Sequence, residues 1–471
     1  MTTTNKQKHT IADRFKSLEQ EYSLFDIRID SVPIWERIRF HIYRQIKQQN
    51  GTGQAHTGVD NDWRDYIRGG GLFLKNLFIN NPYLADQSDV LYLGHHRRKK
   101  QEDGHWWDLY CDPIHEACDH EYVQFERPHL LDHYRPARTS NLRYLDLIEY
   151  GGTLQRLLGL HEPEIPQEAR SQLVAAGSAM EDQFDADVDL LSQATEALHV
   201  RRTTLPLYRR LLERVDPELA VIVVSYGNET FIEACKRQNV RIAELQHGVI
   251  NENHLGYSYS GSRTKEMFPD YLLTFGEFWT DVVEFPIPDD QIIPVGYPYL
   301  EQSANTYDNV ETKNQLLFIS QGVIGEQLSK FAVAVDQSPD IDHNIVYKLH
   351  PGEYDRWRTE YPWLAETEIT VIDSSEPALY RLFSESSGQV GVYSTAVYEG
   401  LQFDLKTYLY DCPGEETLQP LLDNGTAILV SSVDQLVSAL KNHTTQFDRE
   451  QYFSPNATSR MCDTLSDLKS K

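Results

Sequence analysis

Short apolar runs, each broken by Gly, Ser, Thr, His or Pro, recur along most of this chain and predict buried parallel strands. Asp89-Val-Leu-Tyr-Leu-Gly94 is the first, and Leu219-Ala-Val-Ile-Val-Val-Ser225 is the strongest. Arg241–Gln246, Asp270–Phe275 and Ile292–Pro298 follow. A helix over Glu229–Gln238 joins two of them into one βαβ crossover, and residues 163–215 interleave Leu, Ala and acidic residues as a helical cover does. A second set begins at Gln315–Ser320 and continues through Asn344–Leu349, Ile369–Ile372, Gln389–Tyr393, Lys406–Tyr410 and Thr426–Val430, again with helical segments between strands. Strand–helix alternation of this kind predicts two doubly wound α/β domains.

The polar stretch Glu301–Thr312 is read as the linker between them. The division is therefore a helical N-terminal appendage over 1–85, a first Rossmann-like domain over 86–305, a second over 306–445, and a helical tail over 446–471 expected to cross back onto the first domain. Within the appendage, Leu24, Ile27, Ile34, Ile38, Ile42 and Ile46 stand close to helical spacing, and Gly51–Asp62 reads as a loop. Gly71–Ile79 is a short apolar segment flanked by Arg64, Arg68 and Lys75. It either packs on the first domain or dips into an anionic membrane surface.

Composition narrows the function classes. With 471 residues, 40% of them hydrophobic, the chain is long enough for two cores. The mean hydropathy is −0.51, and no run approaches the roughly 18 apolar residues that a membrane span needs. Met1-Thr-Thr-Thr-Asn-Lys6 lacks the apolar core of a signal peptide, which predicts a cytoplasmic protein, with the inner membrane face as a further possibility. A net charge of −27 argues against a nucleic-acid partner. The scattered Cys111, Cys118, Cys235, Cys412 and Cys462 read as structural thiols of a reducing compartment.

Candidate chemistry lies where the strand runs stop. In the second domain Lys348-Leu-His350-Pro351-Gly352 ends one run, Gly322 sits in the turn after another, and Tyr393-Ser394-Thr395 stands at a strand-to-helix junction with Glu399 one turn on. Pro351 keeps His350 out of the helical region, and Gly352 lets a ligand approach the backbone. Hydroxyls and amide N–H groups at a helix start suit an anion. In the first domain a polar loop follows the first strand: His95, His96, the basic run Arg97-Arg98-Lys99-Lys100, then Glu102-Asp103-Gly104. Gln246-His247-Gly248 ends a later strand, with His254 and Gly256-Tyr257 behind it.

His-Pro followed by Ser-Thr, within one half of a two-Rossmann chain, resembles the bacterial surface-polysaccharide glycosyltransferases. That group includes the His-Pro-motif sialyltransferases and the Kdo transferases of capsule linkers. The resemblance spans about residues 86–445 and implies a GT-B-like fold, two Rossmann-like domains facing a cleft. It implies a capsule or other surface-glycan enzyme moving a sugar from a nucleotide-sugar, CMP-linked, to an oligosaccharide or lipid-linked glycan, inverting and metal-independent, with no cofactor. Lys348, His350, Ser394, Thr395, Glu399 and Gly322 would hold the nucleotide, with His350 stabilising the departing phosphate. Arg97, Arg98 and His254 would meet the acceptor.

Glu102-Asp103-Gly104 looks like the sialyltransferases' acidic motif and would make Asp103 the base. Gln246-His247-Gly248 looks like the His-Gly junction of capsule-synthesis proteins and, more distantly, of the teichoic-acid CDP-glycerol glycerophosphotransferases, and would make His247 the base. Asp103 goes with a CMP-sugar and His247 with a CDP-polyol. Tyr-Ser-Thr departs from the serine pair of many sialyltransferases. A non-catalytic scaffold of a glycan-assembly complex is the third reading; a sugar-nucleotide 2-epimerase shares the fold, but its acid and base residues cannot be assigned here. No Asp-x-Asp motif falls in a suitable loop. His95, His96, His105, His115, His120 and His129 show no zinc spacing, so no metal site is predicted.

Overall fold

A computed structural model describes residues 10–51, 63–261, 263–442 and 447–470. The chain forms two compact units. The first contains 1–274, 283–296 and 458–471, and the second 275–282 and 297–457.

The first unit holds a seven-stranded parallel sheet. Its strands are β1 (Val90–Leu93), β2 (Tyr122–Glu126), β3 (Leu142–Tyr144), β4 (Leu219–Ile222), β5 (Arg241–Leu245), β6 (Tyr271–Thr274) and β7 (Ile292–Pro294). Their order is β3-β2-β1-β4-β5-β6-β7. The second unit holds β8 (Gln315–Ile319), β9 (Asn344–Lys348), β10 (Thr370–Ile372), β11 (Gly388–Gly391), β12 (Lys406–Tyr410) and β13 (Ala427–Val430), all parallel, in the order β10-β9-β8-β11-β12-β13. Each sheet has the doubly wound Rossmann order, with direction reversing at a central pair: β1 and β4 in the first, β8 and β11 in the second. The two Rossmann-like domains of the GT-B class are thus present. Every residue of β1, β4, β8 and β11 is buried, which is why β1 and β4 read as continuously apolar.

The expected appendage is built into the first unit. Helices α1 (Ile11–Glu21) and α2 (Ile34–Gln49) share a core with α3 (Gln167–Phe184) and the first half of α4 (Leu190–Val215). The second half of α4, from Leu205, packs in the core under β1, β2 and β4. One 26-residue helix therefore joins two cores. Most of the expected Gly51–Asp62 loop lies outside the described residues, as do Met1–His9.

The first half of the segment read as a linker, Glu301–Thr306, instead continues the helix Pro298–Thr306, whose Ala304 is buried. The chain passes between units at Thr274/Phe275, Val282/Val283, Gly296/Tyr297 and Ala457/Thr458. The helix expected after β6 is a single 3-10 turn, Glu277–Thr280, held in the second unit by the Trp279 indole donating to the Tyr452 carbonyl at 2.8 Å. From Thr458 onward the C-terminal helix belongs to the first unit. Arg241 donates to the carbonyls of Leu468 and Lys469, and Lys469 pairs with Asp89 at 2.7 Å. Cys118 and Cys462 form a disulfide; Cys111, Cys235 and Cys412 are buried thiols. The reading of all five cysteines as thiols is corrected for that pair, whose separation of 344 residues leaves no local signal.

Two strands escaped the hydrophobic pattern. β2 carries Gln124 and Glu126, polar residues whose partners lie on other segments, and the three-residue β3 carries Arg143, which donates to the carbonyl of its neighbour Leu142. Gln124 reaches His115 and Asp108, and Glu126 meets Arg98 and His133.

Candidate functional site

In the first unit the loops after β1, β4 and β5 converge beside the β1/β4 reversal, where doubly wound sheets bind ligands. The loop after β5 carries His247. Its Nε2 lies 2.8 Å from the Tyr226 hydroxyl, just past β4, and its Nδ1 lies 3.4 Å from the Tyr257 hydroxyl. Tyr257 donates at 2.5 Å to Glu244, a fully buried carboxylate on β5 that also accepts the Ser225 N–H at 3.0 Å. The His247 carbonyl accepts from the Tyr110 hydroxyl at 2.8 Å and from Arg97 at 3.3 Å. The His95 and His247 ring centres are 6.1 Å apart.

Burial sets the protonation of this cluster. Desolvation first, then repulsion from His254, His95, Arg97 and His96, holds His247 well below the usual imidazole range. Burial lowers His254 to about 4 and His95 to about 3. His247 is therefore a neutral imidazole at neutral pH, the form able to accept a proton.

The N-terminal helices build the wall behind this cluster. Phe40 of α2 stacks on the His254 ring at 5.3 Å and meets Tyr226 at 4.1 Å. Tyr43 donates to the Asn253 carbonyl at 3.0 Å. Buried Arg39, paired with Glu19, donates to the Leu255 carbonyl. A Cβ at Gly256 would meet the Tyr226 ring at 2.6 Å, so only glycine fits there.

The other residues expected in this unit divide. Arg97 is exposed and joins the cluster through Tyr110. Arg98 does not join it: its side chain is wholly buried, donating to Glu126 at 2.6 Å with Asp108 at 3.5 Å. That ion-pair network runs on through His133, which bridges Glu126 and Asp146 at 2.7 Å each. Asp103 stands in the exposed turn of a hairpin, Arg98–Lys100 paired with Trp106–Asp108. Its carboxylate accepts from the His105 N–H at 2.9 Å, which holds it below the ordinary carboxylate value, with His105 Nδ1 at 3.3 Å. His254 lies within the cluster as a stacked ring. Of the cluster, Tyr257 was read from the sequence only as part of the loop behind His247, and Tyr226, Tyr110 and Glu244 were not singled out. On β5, Glu244 is a charge set between apolar Ala243 and Leu245 in the interior of the strand, the one available signal.

In the second unit the site is built around a residue the sequence did not flag. Glu353 is fully buried. It accepts from the backbone N–H of His350 at 2.8 Å, from Ser320 at the end of β8 at 3.1 Å, and from Tyr361 at 3.0 Å. It ties the His-Pro loop to the strand at the β8/β11 reversal. A Cβ at Gly325 would lie 2.4 Å from its Oε1, and one at Gly322 would lie 2.7 Å from Arg356. Both glycines are places of close approach. Arg356 in turn donates to the Gly352 carbonyl at 2.9 Å. The exposed His350 ring accepts the Gly352 N–H on Nδ1 at 3.1 Å, so in the neutral ring Nε2 bears the proton.

Ser394 caps its helix, accepting from the Ala396 N–H at 3.2 Å, and half-buried Thr395 is the first helical residue. Glu399 is neither a solvated acid nor turned toward open solvent; it is buried and accepts from Tyr380 at 3.0 Å. Lys348 donates to Tyr354 at 2.8 Å and to the Ser374 carbonyl, and burial lowers it to about 8. Among the described residues no group of three His, Cys, Asp or Glu side chains is placed to hold a metal ion.

No family model and no curated protein sequence matches the chain. Similar solved structures include UDP-GlcNAc 2-epimerase from Neisseria meningitidis bound to UDP-GlcNAc, at 12% identity and a TM-score of 0.47 over 80% of this chain and 99% of that one. The UDP-GlcNAc 2-epimerase of Methanocaldococcus jannaschii in complex with UDP-GlcNAc and UDP is also 12% identical, with a TM-score of 0.44 over 80% and 99%. The wall teichoic acid polymerase TagF is 10% identical, with a TM-score of 0.43 over 87% and 98%.

Proposed function

We propose that this protein is a transferase that moves a sugar from a nucleotide-sugar donor to a hydroxyl of a surface-glycan acceptor, with His247 as general base. The observation that carries the reading is His247 itself: a neutral imidazole bracketed by two tyrosine hydroxyls at the ligand-binding edge of a Rossmann-order sheet. Asp103, exposed and paired within its own turn, is the weaker base on the same geometry. In the second unit the His350 Nε2–H is the donor for the nucleotide phosphate, and Glu353 holds its loop. Ser394 and Thr395 are the secondary phosphate contacts, and Arg97 is the acceptor-side cation.

The donor nucleotide is a cytidine nucleotide in this reading. Placing the base at His247 also favours a second reading, transfer of a polyol phosphate from a CDP-polyol, because the teichoic-acid transferases are one of the two groups whose His-Gly junction this loop resembles, the other being the capsule-synthesis proteins. A lipid-linked acceptor fits a peripheral membrane contact. Leu74, Phe78 and Ile79 near the end of helix Trp63–Asn76 are 61%, 81% and 51% exposed, with exposed Lys75 among them. No helix among the described residues is long and apolar enough to cross a membrane.

Thermal shift with CMP, CDP, UDP and GDP tests the donor. Stabilisation by cytidine nucleotides that is lost in His350→Ala supports the reading. Stabilisation by none of the four overturns it in favour of a non-catalytic scaffold. Of the two bases, His247→Asn is expected to lower transfer by at least about 10²-fold with nucleotide stabilisation intact, while Asp103→Asn leaves transfer near the wild-type rate.

A further inference from the structure

The hydrogen bonds around His247 form an unbroken line: Glu244 carboxylate, Tyr257 hydroxyl, His247 imidazole, Tyr226 hydroxyl, with separations of 2.5, 3.4 and 2.8 Å. An imidazole hydrogen-bonded at both nitrogens has two neutral tautomers, and the partner at one nitrogen decides which is held. Glu244 is the group at the line's inner end, wholly buried, with its Oε2 left without a hydrogen-bond partner among the described residues. An ionised carboxylate only accepts. It therefore fixes the Tyr257 O–H toward itself, which leaves the Tyr257 oxygen to accept from Nδ1–H and leaves Nε2 with its lone pair, facing Tyr226.

We propose that Glu244, acting through the Tyr257 hydroxyl, sets the tautomer of His247 so that Nε2 is the proton-accepting nitrogen. The inference rests on the reading of His247 as the base and names Glu244 and Tyr257 as its positioning residues. The acceptor hydroxyl gives its proton to the Tyr226 oxygen as the Tyr226 proton passes to Nε2, so Tyr226 ends unchanged and Nε2 carries the added proton. The imidazolium so formed donates from Nδ1 to Tyr257, and the Glu244 charge offsets it through the bridging hydroxyl. The acceptor oxygen keeps the electron pair with which it attacks the donor.

The groups around the line are consistent with this polarity. Ser225 N–H and the Lys265 ammonium face Glu244 along with Tyr226 and Tyr257. His95, His96, His254 and Arg97 face His247. Burial, the largest influence, raises the Glu244 carboxyl to about 7. Below that pH the carboxyl is protonated and donates to Tyr257. The line then reverses, Tyr257 donates to Nδ1, and Nε2 carries the proton.

The test reads the tautomer directly and needs no activity. In ¹⁵N histidine spectra of the full chain, with His247 assigned by its loss in His247→Asn, wild type at pH 8 is expected to show the lone pair on Nε2 and the proton on Nδ1. Glu244→Gln and Tyr257→Phe are each expected to move the proton to Nε2 or mix the two forms. Where transfer is measured, both variants lower kcat by about 10²-fold with the nucleotide KM unchanged, and Glu244→Gln abolishes the wild-type acid limb near pH 7. A proton on Nε2 in wild type, or one tautomer common to wild type and both variants, overturns the inference. If the tautomer moves as expected while wild type transfers nothing, the relay stands and the transferase reading falls.

Discussion

Replacing Glu353 tests the second unit's site at its most connected point. The side chain is 0% exposed and takes three donors, the His350 N–H at 2.8 Å, Tyr361 at 3.0 Å and Ser320 at 3.1 Å. A hydrogen bond to a charged group contributes about 1.5–3 kcal/mol net, and a buried donor left unpaired costs about 1–3 kcal/mol. Three such losses do not add in full, because the hydroxyls can turn: Tyr347 already lies 3.1 Å from the Ser320 oxygen and 3.3 Å from the Gly325 carbonyl. The His350 amide has no such freedom. Glu353→Ala is therefore expected to cost about 3–4 kcal/mol. Glu353→Gln is expected to cost about 1–2 kcal/mol, since the carboxamide oxygen can keep the His350 N–H while its amino group donates to the hydroxyls. Urea unfolding measures the global cost, and hydrogen exchange at the His350 amide measures the local one. A loss below about 0.5 kcal/mol in Glu353→Ala, within the range of an ordinary surface substitution, would refute the argument. So would an unchanged exchange rate at His350, or a Gln variant as damaged as the Ala variant.

Glu244 predicts an unusual pH dependence. Its folded pKa, about 7, is raised above the ordinary 4.5, so the folded state binds the extra proton between those values and wild-type stability falls as pH rises through that window. Removing the charge in Glu244→Gln should raise stability relative to wild type by about 3 kcal/mol at pH 8 compared with pH 4, read by urea midpoints at both pH values; no difference between them refutes the assignment. The Cys118–Cys462 bond closes a separation of 344 residues. Reduction or Cys118→Ser should lower stability by about 3–5 kcal/mol, and an unchanged midpoint with and without reductant would count against the bond. Phe78→Asp should weaken sedimentation with anionic lipid vesicles if the apolar end of its helix is the docking surface, and wild type that never co-sediments removes that reading.

The strand runs were legible because parallel strands covered on both faces must be apolar throughout; Val90–Leu93, Leu219–Ile222 and Gln315–Ile319 all stand where the pattern put them. The ends of those runs also directed attention to His247 and His350. Tertiary structure decided the rest. Strand Tyr122–Glu126 carries polar residues whose partners, Arg98, Asp108, His115 and His133, are remote in sequence or become partners only on folding. Arg98 looked like part of an exposed basic run and is buried in an ion pair, because pairing of its strand with Trp106–Asp108 sets it against Asp108 and beside Glu126 while Lys99 and Lys100 stay exposed. The N-terminal helices looked like an appendage because amphipathic spacing reveals a buried face without revealing its partner. Glu244, Tyr257, His247 and Tyr226 carry no shared motif. Only the convergence of strand ends at the sheet's reversal puts a carboxylate, two hydroxyls and an imidazole into one hydrogen-bonded line.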